Sequence, residues 1–250
     1  METAPLLKVS QLYKNFGGVQ AIQNLSFELA EGELLGLIGP NGSGKTTAVN
    51  LITGFVKPSE GEISYRGKNI TGRAPYKIVR MGIARTFQMV KPFYQLPAYN
   101  NMISPLYSPR VKQRIGGKFG DRDAVALDLL EEVGFERDSY VAYKPASALP
   151  QGYLKRLELA KAIALDPDLI ILDELFSGLS LAEVASIVPI IEKLRQEGKT
   201  IIMIEHRLKE LFRIADRIIV LNFGEKIADG KSAQVMQSDA VKSAYLGSEV

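Results

Sequence analysis

Residues 34–55 read LLGLIGPNGSGKTTAVNLITGF, a short apolar run that breaks into a glycine-rich turn and then into a stretch with helical spacing. The apolar run is typical of a strand that is covered on both faces. Gly39, Gly44, Lys45 and Thr46 satisfy the pattern G-x-x-x-x-G-K-[ST]. Glycines let successive backbone N–H groups curve around an anion, and the helix that follows points its positive end at the same anion. The stretch therefore predicts a phosphate-binding loop.

The loop also indicates that the ligand is a nucleoside triphosphate. We expect Lys45 to reach the terminal phosphates and the Thr46 hydroxyl to coordinate Mg²⁺. The chain has no NKxD motif of the kind that reads guanine, which favours ATP over GTP. The loop residues predicted to bind ATP are Gly39, Pro40, Asn41, Gly42, Ser43, Gly44, Lys45, Thr46 and Thr47.

Two acidic residues follow a second apolar run, in DLIILDELFSGLS at residues 168–180. Asp173 ends the predicted strand and Glu174 follows it, and ligands of parallel sheets bind at this end of the strands. We expect Asp173 to hold the Mg²⁺ shell through water, and Glu174 to orient or deprotonate the water that attacks the γ-phosphate. The single histidine, His206, ends the next predicted strand, TIIMIEH, and is expected to donate a hydrogen bond to the γ-phosphate.

The composition excludes several other kinds of site. The 250 residues contain no cysteine, which removes disulfides and thiolate ligands, and one histidine, which removes histidine-cluster metal sites. The net charge of +3 is too small to indicate nucleic-acid binding, and the basic residues Arg110, Lys112, Arg114 and Lys118 are interpreted as a solvated loop. Because the chain shows no run of ~18 apolar residues and no signal-peptide pattern, we expect it to stay in solution unless a partner brings it to a membrane.

The order of the remaining elements indicates an α/β fold. Short alternating runs at residues 6–29 predict antiparallel strands, and strands alternating with helices after Gly152 predict a parallel sheet. Residues 74–148 have helical spacing instead and predict a helical insertion, with Asp121 as a helix cap. Pro189 lies within a helical pattern and predicts a kink or a break in that helix.

Taken in order along the chain, these motifs resemble those of the ATP-binding subunits of ABC transporters. The matching segments are YKNFGG with Phe16, the phosphate loop, RTFQ with Gln88, LPQGY at residues 149–153, Asp173 with Glu174, and His206. The resemblance covers essentially the whole chain. It implies a P-loop NTPase core of the ABC type, an α/β fold with an N-terminal antiparallel β subdomain and an inserted α-helical subdomain. The implied single domain spans residues 6–248, with the sheet core and β subdomain at 6–73 and 149–230, the helical subdomain at 74–148 and a C-terminal helical tail at 231–250.

The resemblance also implies roles for individual residues. Phe16 would stack on adenine, and Gln88 would contact Mg²⁺ and sense the membrane subunit. The segment MVKPFYQL, residues 89–96, would receive a short coupling helix from that subunit. Ordinary core packing is the alternative interpretation of the large apolar residues in this segment, which are Phe93, Tyr94 and Leu96.

Within the family, three segments are most similar to ATPases of branched-chain amino acid importers: GIARTFQ, RLELAKAIALDPDLIILDE and AVKSAYLG. Urea and amide importers and a lipopolysaccharide-exporting ATPase share much of this pattern, so cargo and direction stay open. The implied partners are transmembrane permease subunits, a second ATP-binding subunit in a homo- or heterodimer and, indirectly, a substrate-binding protein, with no nucleic acid. The implied location is peripheral, on the cytoplasmic face of the inner or plasma membrane.

The chain departs from this family at three points. The family's signature segment is LSGGQ or LPYGQ, whereas this chain has LPQGY. We expect Gln151 and Gly152 to cover the ATP that is bound by the opposite chain, and Tyr153 is interpreted as a packing aromatic. Leu175 stands where the family has proline, and Ser180 where it has aspartate or asparagine. Two functions therefore stay open, an ATPase that drives transport and an ATP-gated clamp that dimerises with little or no hydrolysis.

Overall fold

The computed structural model describes residues 4–114 and 122–246. Their strands are, in chain order, β1 (Leu7–Phe16), β2 (Val19–Leu29), β3 (Leu34–Ile38), β4 (Glu60–Tyr65), β5 (Lys68–Asn69), β6 (Ile83–Arg85), β7 (Leu169–Asp173), β8 (Thr200–Ile204), β9 (Arg217–Asn222) and β10 (Glu225–Gly230). Their α-helices are α1 (Lys45–Ile52), α2 (Pro75–Met81), α3 (Ala98–Asn101), α4 (Ile103–Leu106), α5 (Pro109–Arg114), α6 (Arg122–Glu132), α7 (Gln151–Ile163), α8 (Leu181–Gln196), α9 (Leu208–Ile214), α10 (Ser232–Gln237) and α11 (Asp239–Leu246).

The strands form two sheets. The first has the order β2-β1-β4-β5 and is antiparallel, and the second has the order β10-β9-β3-β8-β7-β6. Neighbours in the second sheet are parallel, except that β10 runs antiparallel to β9. Each parallel pair is joined by a crossover that carries a helix, as parallel strands require. The arrangement confirms the predicted α/β core and the N-terminal antiparallel β subdomain.

Strands β3, β7 and β8 are buried along their whole length because a hydrophobic core lies on each face of the sheet. Successive side chains of a strand point to opposite faces. In β7, Ile170 and Leu172 lie in the core formed with α7 and α8, whereas Leu169 and Ile171 lie in the core shared with α1 and the first sheet. Packing on both faces therefore keeps the carboxyl ends of these three strands together at one edge.

Strand β6 corrects the predicted start of the helical subdomain. Ile83 pairs with Leu169 and Arg85 with Ile171, so this strand is the edge of the parallel sheet. It lies inside the range 74–148 that the sequence predicts to be helical. A strand of three residues is too short for hydrophobic spacing to distinguish it from the helices beside it.

Helix α8 runs without interruption from Leu181 to Gln196, with Pro189 inside it. Of the two predicted outcomes, the helix break is therefore wrong. The residues on either side of the proline, including Ile187, Val188 and Ile191, are buried in the core. Their burial offsets the missing backbone hydrogen bond, whose loss costs about 3 kcal/mol in an exposed helix.

The interpretation of Arg110 as part of a solvated loop is also wrong. Arg110 lies in α5, where its Nη2 atom donates to Asp168 Oδ2 at 2.9 Å and its Nε atom donates to the backbone oxygen of Asp166 at 3.0 Å. The side chains of this ion pair are only 11% and 19% exposed. Lys112 and Arg114 lie in the same helix and not in a loop, whereas Lys118 and the predicted Asp121 cap lie outside the described residues.

The C-terminal part of the chain packs on the end of the parallel sheet. Helix α10 contacts β9 and β10, and α11 contacts α10 and β10. No helix within residues 4–114 or 122–246 has both the length and the apolar character needed to cross a lipid bilayer.

We expect Arg110→Ala to lower the free energy of unfolding by about 1–3 kcal/mol, because it removes a charged partner from the half-buried Asp168 carboxylate. Lys112→Ala removes an exposed charge from the same helix, and we expect a change of about 0.5 kcal/mol or less. Urea denaturation of both variants measures the difference. Equal stability of the two variants would show that the Arg110 ion pair contributes nothing beyond a surface charge.

Candidate functional site

The predicted phosphate loop lies where β3 ends and α1 begins. Its glycines are required by the backbone, because Gly39 and Gly44 have φ angles of 152° and 104° in the left-handed region. A Cβ atom on Gly39 would lie 2.1 Å from the backbone oxygen of Leu221, and one on Gly44 would lie 2.7 Å from that of Ala21. Any larger residue at either position would force the loop away from the sheet.

Lys45, the first residue of α1, lies across the mouth of this loop. Its Nζ atom donates to the backbone oxygens of Gly39 and Pro40, at 2.7 and 2.9 Å. Burial lowers the pKa of the Lys45 ammonium, and the nearby Glu174 and Asp173 carboxylates oppose that shift. No side chain caps the start of α1, so its first N–H groups are available to an anion. Together these features fit a phosphate group, which can replace the two carbonyl oxygens as the partner of Lys45.

A cavity of about 460 Å³ extends from the loop toward the first sheet. It brings together loop residues, Glu174 and His206, as the sequence predicts. Its other wall comes from residues near the start of β2 and from the turn after β9, and the complete lining is Val19, Gln20, Ala21, Gln23, Asn41, Gly42, Ser43, Gly44, Lys45, Thr46, Thr47, Glu174, His206 and Phe223.

Phe16 lies at the end of β1 beside this cavity. Its strand partner Val19 lines the cavity, whereas Phe16 itself is absent from that lining in the described part of the chain. The Phe16 ring is half exposed and carries the Lys14 ammonium 4.8 Å from its centroid. The predicted stacking on adenine therefore stays a prediction.

The predicted catalytic residues meet at the side chain of Glu174. Gln88 Nε2 donates to Glu174 Oε2 at 2.6 Å, and His206 Nε2 lies 3.1 Å from Glu174 Oε1. Strand β8 ends at Ile204, so His206 follows the strand by two residues and does not end it as predicted. The carboxylate has an amide on one oxygen and an imidazole on the other, which fixes its direction at the edge of the cavity. Such a group can accept a proton from a neighbouring water.

Three predicted metal ligands line a second cavity next to the first. They are Thr46, Gln88 and Asp173. Mg²⁺ prefers oxygen ligands, and it usually takes one or two carboxylates together with phosphate oxygens and water. The described residues contain no cluster of three or more histidine, cysteine or acidic side chains that could hold a metal without a ligand's help. The hydroxyl of Thr46, the amide of Gln88 and the carboxylate of Asp173 therefore fit a Mg²⁺ ion whose other ligands are phosphate oxygens of a nucleotide and water.

Arg85 contacts a predicted metal ligand, although the sequence gives no sign of this contact. Its Nη2 atom donates to Asp173 Oδ2 at 2.6 Å, and both side chains are almost fully buried. The guanidinium also donates to Asn50 and lies over the rings of Phe55 and Phe87. Because Arg85 and Asp173 are 88 residues apart in the sequence, local spacing contains no signal of this ion pair.

The signature segment lies outside the lining of the phosphate-loop cavity. Helix α7 starts at Gln151, whose side-chain amide packs against Gly178. A Cβ atom on Gly152 would lie 2.3 Å from Glu183 Oε1, at the start of α8. The described lining of the phosphate-loop cavity includes neither Gln151 nor Gly152. The predicted packing of Tyr153 is confirmed, since its ring centroid lies 5.0 Å from that of Phe135.

Glu205 is a second residue near the site that the sequence motifs do not identify. It is buried, and its Oε1 atom accepts a hydrogen bond from the backbone N–H of Phe176 at 2.8 Å. Burial raises the pKa of Glu205 to about 8, against the opposing effects of that hydrogen bond and of Lys155. One feature of the sequence indicates that Glu205 is buried, namely its position directly after an apolar run. A strand that is buried on both faces is often followed by further buried positions.

The fold and the site define a P-loop nucleoside triphosphatase of the ATP-binding cassette type. A family model described as ABC transporter matches residues 22–177. The chain is 37% identical to the high-affinity branched-chain amino acid transport ATP-binding protein LivG of Salmonella typhimurium, over 97% of this chain and 98% of that protein. This chain therefore belongs to the ABC transporter family, as an ATP-binding subunit of the ATPase class.

Solved structures agree with this assignment. An ATP-binding cassette of an ABC transporter, MJ1267, matches with a TM-score of 0.86 and 28% identity over 97% of this chain and 99% of that one. The cassette MJ0796, solved as a dimer bound to ADP and Pi, matches with a TM-score of 0.77 and 27% identity over 90% of this chain and 98% of that one. The predicted family and fold class are confirmed.

We expect stability to depend on pH through Glu205. Its folded pKa is raised, so between about pH 4.5 and pH 8 the folded protein holds a proton that the unfolded chain releases. The free energy of unfolding should therefore fall as the pH rises through this window. Glu205→Gln keeps an acceptor for Phe176 but cannot ionise, and at about pH 8.5 it should be more stable than the parent by an amount on the order of 1–3 kcal/mol.

Urea denaturation at about pH 5 and about pH 8.5 tests this dependence. Glu197→Gln removes an exposed carboxylate and should follow the parent at both pH values. If Glu205→Gln follows the parent as well, burial does not raise the pKa of Glu205.

Proposed function

We propose that this chain hydrolyses MgATP to drive a solute through separate transmembrane permease subunits, and that the solute is a branched-chain or other hydrophobic amino acid taken up by the cell. One observation carries the hydrolytic part of the proposal. The Glu174 carboxylate lies between Gln88 and His206 at the edge of the phosphate-loop cavity. The name of the LivG relative supports the amino acid part.

In this mechanism each residue has one task. When ATP enters, Lys45 leaves the backbone oxygens of Gly39 and Pro40 and contacts the terminal phosphates. Glu174 orients a water molecule and accepts its proton, while His206 donates a hydrogen bond to a γ-phosphate oxygen. Thr46 and Gln88 would hold Mg²⁺ directly and Asp173 would hold it through water, and the bound ion would supply positive charge to the phosphates.

The catalytic unit in this proposal is a dimer with a second ATP-binding subunit. Gln151 is exposed at the start of α7 and does not line the phosphate-loop cavity of its own chain, as expected if it covers the ATP bound by another chain, and the buried Gly152 lets α7 start close to Glu183. The start of α7 directs the positive end of its dipole to that ATP. Loss of the γ-phosphate on hydrolysis removes contacts from both chains and opens the dimer. The solved dimer of the MJ0796 cassette supports this arrangement.

A permease would dock on the segment after Gln88. Phe93, Tyr94 and Leu96 are 58%, 47% and 43% exposed, which argues against the alternative that they pack in the core. Exposed apolar groups next to one another are typical of a contact with another protein. Docking there would place the chain peripherally, on the cytoplasmic face of the membrane, and a substrate-binding protein would interact only with the permease.

The ATP-gated clamp remains a second candidate because of one observation. Glu174 is in a left-handed conformation, with a φ angle of 50°, and the residue after it is Leu175 in place of the family's stiff proline. A carboxylate that is held in a direction unsuited to the attacking water would hydrolyse ATP slowly while binding it normally. Nucleic acid is not a partner in either version, and the ion pair of Arg110 with Asp168 removes one charge from the basic cluster.

We expect Glu174→Gln to lower the steady-state rate of MgATP hydrolysis by at least about 100-fold, because the amide cannot accept the proton. ATP affinity should change little, and MgATP should hold the variant as a dimer in size-exclusion chromatography. The exposed Glu197→Gln serves as the matched control and should retain full turnover. Equal turnover of Glu174→Gln and the parent would exclude Glu174 as the base, and a parent that dimerises with ATP without turnover would establish the clamp.

In cells, we expect loss of this chain to abolish uptake of radiolabelled leucine, isoleucine and valine by the transport system to which it belongs. The intact gene should restore uptake, and Glu174→Gln should not, because binding without hydrolysis cannot reset the dimer. Labelled urea and an unrelated amino acid such as lysine serve as control solutes. Normal uptake of all three branched-chain amino acids without this chain would contradict the proposed cargo and leave the ATPase assignment intact.

A further inference from the structure

Lys155 occupies a position that is unusual for a lysine. It lies in the second turn of α7 with a side chain that is only 2% exposed to solvent. Lysines are rarely buried to this extent unless their ammonium group has specific partners. The family resemblance assigns no task to this residue.

The partners of Lys155 are the backbones of two predicted site residues. Its Nζ atom donates to the backbone oxygen of Gln88 at 2.9 Å and to that of Glu174 at 2.9 Å. The side chains of the same two residues are hydrogen-bonded to each other at 2.6 Å. Gln88 and Glu174 are therefore joined twice, once through their side chains and once through the Lys155 ammonium.

Glu174 needs support of this kind at its backbone. Its φ angle of 50° lies in the left-handed region, which residues with a side chain adopt only when their surroundings hold them there. Its N–H donates to the backbone oxygen of Ile204 at 2.9 Å, which fixes one side of the peptide. Its oxygen accepts from Lys155, which fixes the other side. Leu175, unlike proline, adds no restraint from its own ring.

The charges around Lys155 favour its ammonium form at this place. Burial lowers the pKa of Lys155, and the carboxylates of Glu205, Glu174, Asp173 and Glu158 all oppose that shift. A buried cation surrounded by several carboxylates and bonded to two carbonyl oxygens has little freedom to move. The ammonium is therefore a fixed point between α7 and the end of β7.

We propose that Lys155 is a positioning residue for ATP hydrolysis, because its ammonium holds the backbones of Gln88 and Glu174 in fixed relation to helix α7. The proposal rests on the proposed function, in which Glu174 is the base. Helix α7 begins with Gln151 and Gly152, so Lys155 connects the surface that covers a partner's ATP to the carboxylate that acts on this chain's own ATP. A shift of α7 on dimer closure is transmitted to Glu174 through this one side chain.

Two substitutions separate positioning from simple core packing. Lys155→Met keeps an unbranched apolar side chain, one atom shorter than lysine, and has no N–H donor. Lys155→Gln has the same length as methionine but keeps N–H donors, which can reach one of the two oxygens. Lys199→Met is the matched control, since it makes the same chemical change at a lysine whose Nζ atom pairs with Asp166 at 2.8 Å, outside the site.

The measurements are kcat and KM for MgATP, the Kd of a fluorescent ATP analogue, and urea stability. We expect Lys155→Met to lower kcat by about 10- to 100-fold with Kd changed less than about threefold, since small misplacements of a catalytic group have effects of this size. Lys155→Gln should lie between Lys155→Met and the parent, and Lys199→Met should match the parent. Should Lys155→Met fail to fold, a lowered kcat at unchanged Kd in Lys155→Gln supports the proposal.

Several outcomes would overturn it. The first is a parental kcat in a folded Lys155→Met or, if that variant does not fold, in Lys155→Gln. The second is an equal loss of kcat in both variants. The third is a loss of kcat that is matched by losses of ATP affinity and stability. Glu174→Gln, measured in parallel, keeps this result distinct from the proposed function. If Glu174→Gln abolishes turnover while Lys155→Met does not lower it, Glu174 is the base and Lys155 does not position it.

Discussion

The site depends on one constraint, the burial of β3, β7 and β8 as adjacent parallel strands. Each strand is covered on both faces, and the ladder between them sets Asp173 beside Ile204. A shift by one residue would send every buried side chain to the wrong face, so the register is strongly held. Because all three strands end at the same edge, the phosphate loop, Glu174 and His206 meet there, although they are far apart in the sequence.

At that edge the protein buries more charge than a stable core requires. Lys45, Asp173, Lys155 and Glu205 are all buried, and each has at least one specific partner. Buried ion pairs add little to stability compared with apolar packing, because desolvation offsets their attraction. Their concentration at one edge of the sheet therefore indicates function. The Arg85 pair illustrates this, since it holds the carboxylate that is proposed to serve the metal and reaches the exposed rings of Phe55 and Phe87.

The three departures from the family's motifs have local structural solutions. Leu175 is buried in the core, and the backbone after it is held by the hydrogen bond from Phe176 to Glu205. Ser180 caps α8, where its hydroxyl accepts from the backbone of Glu183 and the Glu183 carboxylate accepts from the backbone of Ser180. Tyr153 packs on Phe135. In the described part of the chain, none of these three residues lines the phosphate-loop cavity.

Local spacing was sufficient to predict the phosphate loop, the acidic pair at the end of β7 and the alternation of strands and helices. These features depend on backbone conformation and on burial, and both leave a pattern within a few residues of sequence. The pairing of Arg85 with Asp173, the contacts of Lys155 and the ion pair of Arg110 leave no such pattern. Their partners are brought together only when the strands pack side by side, and an isolated lysine or arginine in a helix looks the same in the sequence whether it faces water or a buried carbonyl oxygen. The short strand β6 and the unbroken helix at Pro189 have the same explanation, because packing against the finished core outweighs what the local residues favour.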